Sequence, residues 1–248
     1  MLLAIDIGNT NIKCGFFKGT HLQDHYTTSD ISDLKNYFKK QELTNVAISS
    51  VVPGKTDQII NAIRGESIPA TFIITNNSDF HLMVKYKTPE TLGTDRLCSC
   101  EGAFALLNKK LSNNTYLITI DFGTATTINI VKPPGIFIGG VIAPGVRTMI
   151  DSLKNKTSQL PSLSLENYKS ILGDDTRSSM ASGVIQSSIG LVDKVIGYIK
   201  KLDDCNKIIV YITGGMASKI KNYLNIDFIY DEFLVLKGIR SVYKLNKN

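Results

Sequence analysis

The chain of 248 residues is 43% hydrophobic and 20% charged, ordinary globular usage that excludes disordered, collagen-like and coiled-coil chains and leaves room for one large or two small domains. No apolar run approaches the ~18 residues of a membrane span, and Asp6 falls where a signal peptide needs an apolar core. The formal charge of +6 rests on scattered lysines, with only five arginines among 28 basic residues, and reads as a solvated surface rather than a nucleic-acid face.

In chain order, strands are expected near 2–6, 11–17 and 22–28, then a helix near 31–40 capped by Ser29 or Asp30. A strand near 45–50, a helix near 55–64 and a strand near 70–75 follow. A helix from about 93 to 109 leads across Ser112-Asn113-Asn114 to strands near 116–121, 126–132 and 136–142, which repeat the opening order. Helices near 145–154 and 178–201, a strand near 207–212, a Gly214-Gly215 turn, a helix near 216–224, a strand and a last helix near 234–245 complete the chain. The polar segment 155–177 reads as a loop.

Two stretches resemble one another 115 positions apart, counted from Asp6 to Asp121. Leu3-Ala-Ile-Asp6-Ile-Gly8-Asn-Thr-Asn-Ile-Lys13 matches Ile118-Thr-Ile-Asp121-Phe-Gly123-Thr-Ala-Thr-Thr-Ile128: a β-rich run, Asp-x-Gly with small polar residues, and a second β-rich run. Small residues let backbone N–H groups approach a phosphate, and a carboxylate holds the metal that accompanies it. One such hairpin is an ordinary turn. Two, each opening half of the chain, resemble the actin–hexokinase–Hsp70 superfamily and imply an α/β fold of two duplicated ribonuclease H-like (actin-like ATPase) domains facing a central cleft. The boundaries expected are 1–110 and 111–248.

Between the repeats, Pro89 and Gly93 punctuate a loop, and Asp95 and Arg96 fall in the first turn of the next helix. Asp95 suits the helix dipole, or serves as a general base. Arg96 is unfavourable at that end and points to an anionic partner, carboxylate or phosphate. Gly139-Gly140-Val-Ile-Ala-Pro144-Gly145 is either a ligand-facing backbone or a plain strand-to-helix connection. Thr213-Gly214-Gly215 is a strand–turn–helix signal of low specificity. Cys98 and Cys100 point about 200° apart on a helix and read as core residues. With Cys14 and Cys205 they form no CxxC, so neither a zinc site nor a disulfide scaffold is indicated, and a reducing cytoplasm is expected. His21, His25 and His81 show no ligand spacing, and no GxSxG or Walker motif is present.

Taken together, these motifs resemble type III pantothenate kinases over most of the chain. Asp6-Ile7-Gly8-Asn9-Thr10-Asn11-Ile12-Lys13 is similar to the family's nucleotide motif; Tyr86 and Pro89-x-x-Leu-Gly93-Thr94-Asp95-Arg96 are similar to its pantothenate motif. Asp121-Phe-Gly-Thr124 resembles its second phosphate and monovalent-cation motif, and Thr157-Ser-Gln-Leu-Pro161, Thr176 and Thr213-Gly-Gly215 follow in order. Ser158, where alanine is more usual, and Asp174-Asp175 in place of an Asn are small departures. The resemblance implies ATP-dependent phosphorylation of pantothenate to 4'-phosphopantothenate, the opening step of coenzyme A biosynthesis. It implies ATP phosphates at residues 6–13 and Thr124, Mg²⁺ on Asp6 through water, and K⁺ or NH₄⁺ on Asp121. Asp95 would be the base, and Tyr86, Gly93, Thr94 and Arg96 would hold pantothenate. A homodimer would complete the pocket with Thr176. The family has also been labelled as transcriptional accessory factors, a nucleotide-binding alternative without turnover. Asp6, Asp95 and Asp121 standing together argue against it.

Overall fold

The computed structural model describes residues 1–38, 44–63, 71–156 and 160–247. Its elements run β1 (Leu2–Ile7), β2 (Ile12–Lys18), β3 (His21–Thr28), α1 (Ile31–Phe38), β4 (Asn45–Ser50), α2 (Pro53–Ile63), β5 (Thr71–Ile73), β6 (Met83–Val84) and α3 (Thr94–Leu106). The second half runs β7 (Thr115–Phe122), β8 (Ala125–Lys132), β9 (Ile136–Pro144), α4 (Val146–Lys156), α5 (Thr176–Ile199), β10 (Lys207–Thr213), α6 (Ala217–Ile220), β11 (Ile229–Tyr230) and α7 (Leu234–Asn246). The chain divides into two compact units. One holds Met1–Leu111, Pro134–Ile138 and Phe233–Asn248; the other holds Ser112–Pro133 and Gly139–Glu232.

In the first unit the sheet order is β3-β2-β1-β4-β5. β1 pairs antiparallel with β2 and parallel with β4, so Asp6 lies beside Lys13 on one side and Ser49 on the other. Leu3, Ile5, Ile7, Val46 and Ile48 alternate onto a face packed by Leu34, Ile59 and Ile63 of α1 and α2. Leu2, Ala4 and Ala47 face the other way, onto Val235, Leu236 and Ile239 of α7. Burial on both faces is what the parallel β1–β4 pair requires. Helix α7 also lies close against α3: a Cβ on Gly238 would come 1.8 Å from the Cys98 carbonyl oxygen, so the crossing demands glycine.

Glu101, fully buried on α3, ties this unit together. Its carboxylate accepts from the His81 backbone N–H at 3.1 Å and from Ser241 Oγ at 2.7 Å, and meets His81 Nδ1 at 2.5 Å. Cys98 and Cys100 are buried beside it, the core role expected of them.

The second unit repeats the three-strand opening, with β11-β10-β7-β8-β9 as neighbours. β7 pairs antiparallel with β8 and parallel with β10. Its core joins Ile118, Ile120 and Ile128 of the sheet to Ile185, Val192 and Ile196 of α5. Helix α5 starts at Thr176, earlier than the pattern suggested, because Asp175 and Ser178 form a reciprocal capping box. Helix α3 stops at Leu106, short of the expected 109, because Asn108 (φ 55°) and Lys109 (φ 58°) turn left-handed. The helix expected over 216–224 is α6 followed by a single 3-10 turn, Lys221–Tyr223. Within 155–177, α4 continues to Lys156 and a 3-10 turn, Leu165–Asn167, is capped by Ser164. Thr157, Ser158 and Gln159 lie outside the described residues.

Candidate active site

The first site group lies where the parallel strands β1 and β4 end, the position at which open α/β sheets receive ligands. Asp6, half-buried, sits one residue before the end of β1. Residues 8–11 then turn into β2, closed by the Gly8 N–H donating to the Asn11 carbonyl at 3.0 Å. Beside Asp6, Ser49 Oγ shares a 2.9 Å hydrogen bond with Thr94 Oγ1, both side chains buried. The contact chain Asp6–Ser49–Thr94 thus ties the turn to the first residue of α3. Both the Asp6 and the Asp95 carboxylate raise the already burial-shifted Cys98 thiol, Asp6 more strongly.

Asp95 accepts the Arg96 backbone N–H at 2.8 Å. Burial pushes its carboxyl above the ordinary range, and the Arg96 N–H and guanidinium pull it only part of the way back. The carboxylate is packed so closely that a Cβ on Gly93 would come 2.4 Å from Asp95 Oδ1. Gly93 has an ordinary φ of −58°, so glycine stands there for space rather than for backbone freedom. Arg96 is only 6% exposed, its guanidinium carbon 6.0 Å from the Tyr86 ring centre and 5.7 Å from that of Phe137. The two rings meet edge to face at 6.1 Å. They fix the guanidinium in weakly polar surroundings, where its charge acts most strongly on an anion.

The second group belongs to the other unit. Asp121, half-buried, ends β7 as Asp6 ends β1. Gly214, at φ 103°, passes so near that a Cβ would lie 2.4 Å from Asp121 Oδ1, a turn only glycine makes. Asp121 Oδ1 and the Ala125 carbonyl oxygen both lie within 3.4 Å of where a Cβ on Gly123 would stand. The Thr124 carbonyl accepts from the Gly145 N–H at 3.0 Å and from Thr148 Oγ1 at 2.6 Å, so Gly145 serves as the connection after β9. Thr176 is exposed at the start of α5, on the wall of a groove of about 960 Å³ that Thr148, Met149, Leu153 and Met180 also line. Asp6 to Lys13, Tyr86 and Gly93 to Arg96 therefore share the first unit, whereas Asp121, Thr124 and Thr176 belong to the second.

Sequence reasoning missed Ser49, Phe137 and Lys55. Ser49 carried a signal, since a strand ending in Ser-Ser before Val-Val-Pro53 reads as a strand-to-helix turn. Phe137 carried none. It joins Tyr86 only because Met83 and Val84 pair with Ile136 and Phe137.

Solved structures agree with this architecture. The chain resembles a Baf family transcriptional activator from Campylobacter jejuni (TM-score 0.63, 21% identity, 99% of both chains). It also resembles a ROK family glucokinase from Streptomyces griseus (TM-score 0.54, 10% identity, 99% of both chains). Fold and likeness together define an α/β fold of two duplicated ribonuclease H-like domains, the fold class expected. The type III pantothenate kinase family model matches residues 2–197. Curated type III pantothenate kinases include one from Persephonella marina, 32% identical over all of both chains, and one from Finegoldia magna, 33% identical over 100% of this chain and 98% of its own. The chain belongs to the type III pantothenate kinase family, and its activity is the ATP-dependent phosphorylation of pantothenate in coenzyme A biosynthesis.

Proposed function

We propose that Asp95 is the base of this kinase and that the turn at residues 6–13 carries the ATP phosphates. The observation behind the reading is the Asp6–Ser49–Thr94 chain, which ties the turn after β1 to the helix start bearing the half-buried Asp95, whose carboxyl burial holds above its ordinary range. The primary hydroxyl of pantothenate attacks the γ-phosphorus; its O–P bond forms as the β,γ-bridging bond breaks, and Asp95 takes the hydroxyl proton. Such transfer rests on positioning and charge neutralisation, so the base chiefly orients the alcohol. Arg96, held by Tyr86 and Phe137, pairs with the pantothenate carboxylate, and the Gly93–Thr94 backbone lines the same pocket. Thr124 adds a contact to the phosphates.

A single half-buried carboxylate at Asp6 suits Mg²⁺, which keeps most of its waters and takes the rest of its ligands from phosphate. Among the described residues no group of three or more His, Cys, Asp or Glu stands ready for a tighter metal cage. Bound there, Mg²⁺ neutralises phosphate charge. Asp121 with nearby backbone oxygens offers an all-oxygen set suited to K⁺ or NH₄⁺. The buried thiols and a metabolic kinase role suit a reducing cytoplasm, and none of the described helices is long and apolar enough to cross a membrane.

The groove bearing Thr176 supports a homodimer with a shared pocket. Ile171 and Leu172, just before it, are 67% and 81% exposed, an apolar pair that a second copy would cover. Sedimentation of the purified chain should then give about twice its 27.3 kDa. Leu172→Asp should yield monomers with a raised KM for pantothenate and an unaltered affinity for ATP. A fully active monomer would contradict the shared pocket.

A further inference from the structure

Lys55 stands in the first turn of α2, where it meets the positive end of the helix dipole and no acidic residue of that turn offsets it. A lysine there is disfavoured unless a partner holds it. The partner is the phosphate turn: Lys55 Nζ donates to the Asn9 carbonyl oxygen at 2.8 Å. The helix start that carries it is itself fixed, since Thr56 Oγ1 donates to Ser50 Oγ at 2.6 Å and to the Val52 carbonyl at 3.1 Å. A side chain from a separate helix therefore reaches across to the tip of the turn between β1 and β2.

The chemistry of that contact is specific. A turn that receives polyphosphate must present N–H groups to it and turn its carbonyls away. The Asn9–Thr10 peptide is planar and trans, so its C=O and N–H point in opposite directions. An ammonium on the carbonyl side therefore holds the N–H side fixed the other way. It also polarises the peptide, in the manner of a hydrogen-bond chain whose links strengthen one another. At 2.8 Å from the Asn9 oxygen, the ammonium acts on the turn well inside the ~8 Å over which salt leaves such fields effective.

We propose that Lys55 is a positioning residue for the ATP polyphosphate: it sets the orientation of the Asn9–Thr10 peptide and adds fixed positive charge behind it. The inference rests on the reading that residues 6–13 carry the phosphates. It names a third segment of the nucleotide site, outside both Asp-x-Gly hairpins and outside the Gly93–Arg96 turn that holds pantothenate.

The test measures equilibrium binding of ATP and of adenosine, with steady-state kinetics and thermal midpoints, for Lys55→Met and Lys55→Arg. Lys55→Met should weaken ATP about tenfold, the usual scale for a charged hydrogen bond, and flatten the salt dependence of ATP binding. Adenosine affinity, the KM for pantothenate and the thermal midpoint should stay put. Lys55→Arg keeps charge and donor and should hold ATP affinity within about threefold of the parent chain. Unchanged ATP affinity in Lys55→Met overturns the proposal, as does equal weakening of ATP and adenosine, the mark of a merely structural role. Asp6→Asn and Lys13→Met, measured alongside, separate the two readings. If they weaken ATP and Lys55→Met does not, the inference about Lys55 fails alone; if none of the three does, the phosphate site itself is misplaced.

Discussion

Asp95→Asn is expected to lower kcat by about 10²–10⁴-fold, the usual worth of general-base assistance, while ATP affinity stays unchanged. The substitution keeps the shape that Gly93 accommodates and removes the proton acceptor. Its effect on stability should run the other way. Burial raises the Asp95 carboxyl above its ordinary value, so the folded chain binds this proton more tightly than the unfolded chain does. Any stability from this group is present below the unfolded value and is lost as pH rises through the raised folded one. Above that raised value the ionised carboxylate is a strain on the fold, and Asp95→Asn should there hold or raise the thermal midpoint. For the same reason, the acid limb of the wild-type pH–rate profile should lie above that of an exposed aspartate. Near-normal turnover, or a joint fall in activity and midpoint, would remove Asp95 from the chemistry.

Replacing K⁺ by Na⁺ or Li⁺ at fixed ionic strength is expected to slow turnover by about tenfold, equivalent to ~1.4 kcal/mol of transition-state stabilisation. Asp121 stands beside backbone oxygens in a turn shaped by Gly123 and Gly214. A carboxylate near phosphate repels it unless a cation intervenes, on the ~332/(εr) scaling of like charges. A large monovalent ion tolerates such an irregular oxygen cage. Asp121→Asn should erase most of the difference between the salts. The comparison holds Mg²⁺ constant and uses a bulky organic cation as control. Equal wild-type rates in K⁺, NH₄⁺, Na⁺ and Li⁺ would leave Asp121 with a structural role.

Much of this was legible because the two hairpins repeat. Asp6 and Asp121 each end a β-rich run before a glycine turn, and both units are built around those turns. Gly93, Asp95 and Arg96 were legible because a Pro-and-Gly loop precedes a helical pattern. Their surroundings were not. The aromatic hold on Arg96 needs Phe137, which arrives through β6, a strand of two residues too short to leave any alternation. The placement of α7 in the first unit depends on Gly238 closing onto Cys98, a contact between residues 140 positions apart. Lys55 passed for one more surface lysine, because only the folded chain shows that it reaches Asn9. Local pattern records how each segment folds; long-range packing decides which side chains meet.

Family membership makes this chain a kinase of the pantothenate hydroxyl, and we propose Asp95 as its base. ADP release by the purified protein, followed across pantothenate, sugars, acetate and a no-acceptor control with mass analysis of the product, tests it most directly. ADP release is expected only with pantothenate, with one phosphorylated pantothenate per ADP, and at a rate about 10²–10⁴-fold lower from Asp95→Asn. Nucleotide binding without turnover, or turnover driven by a sugar or acetate instead, would contradict it.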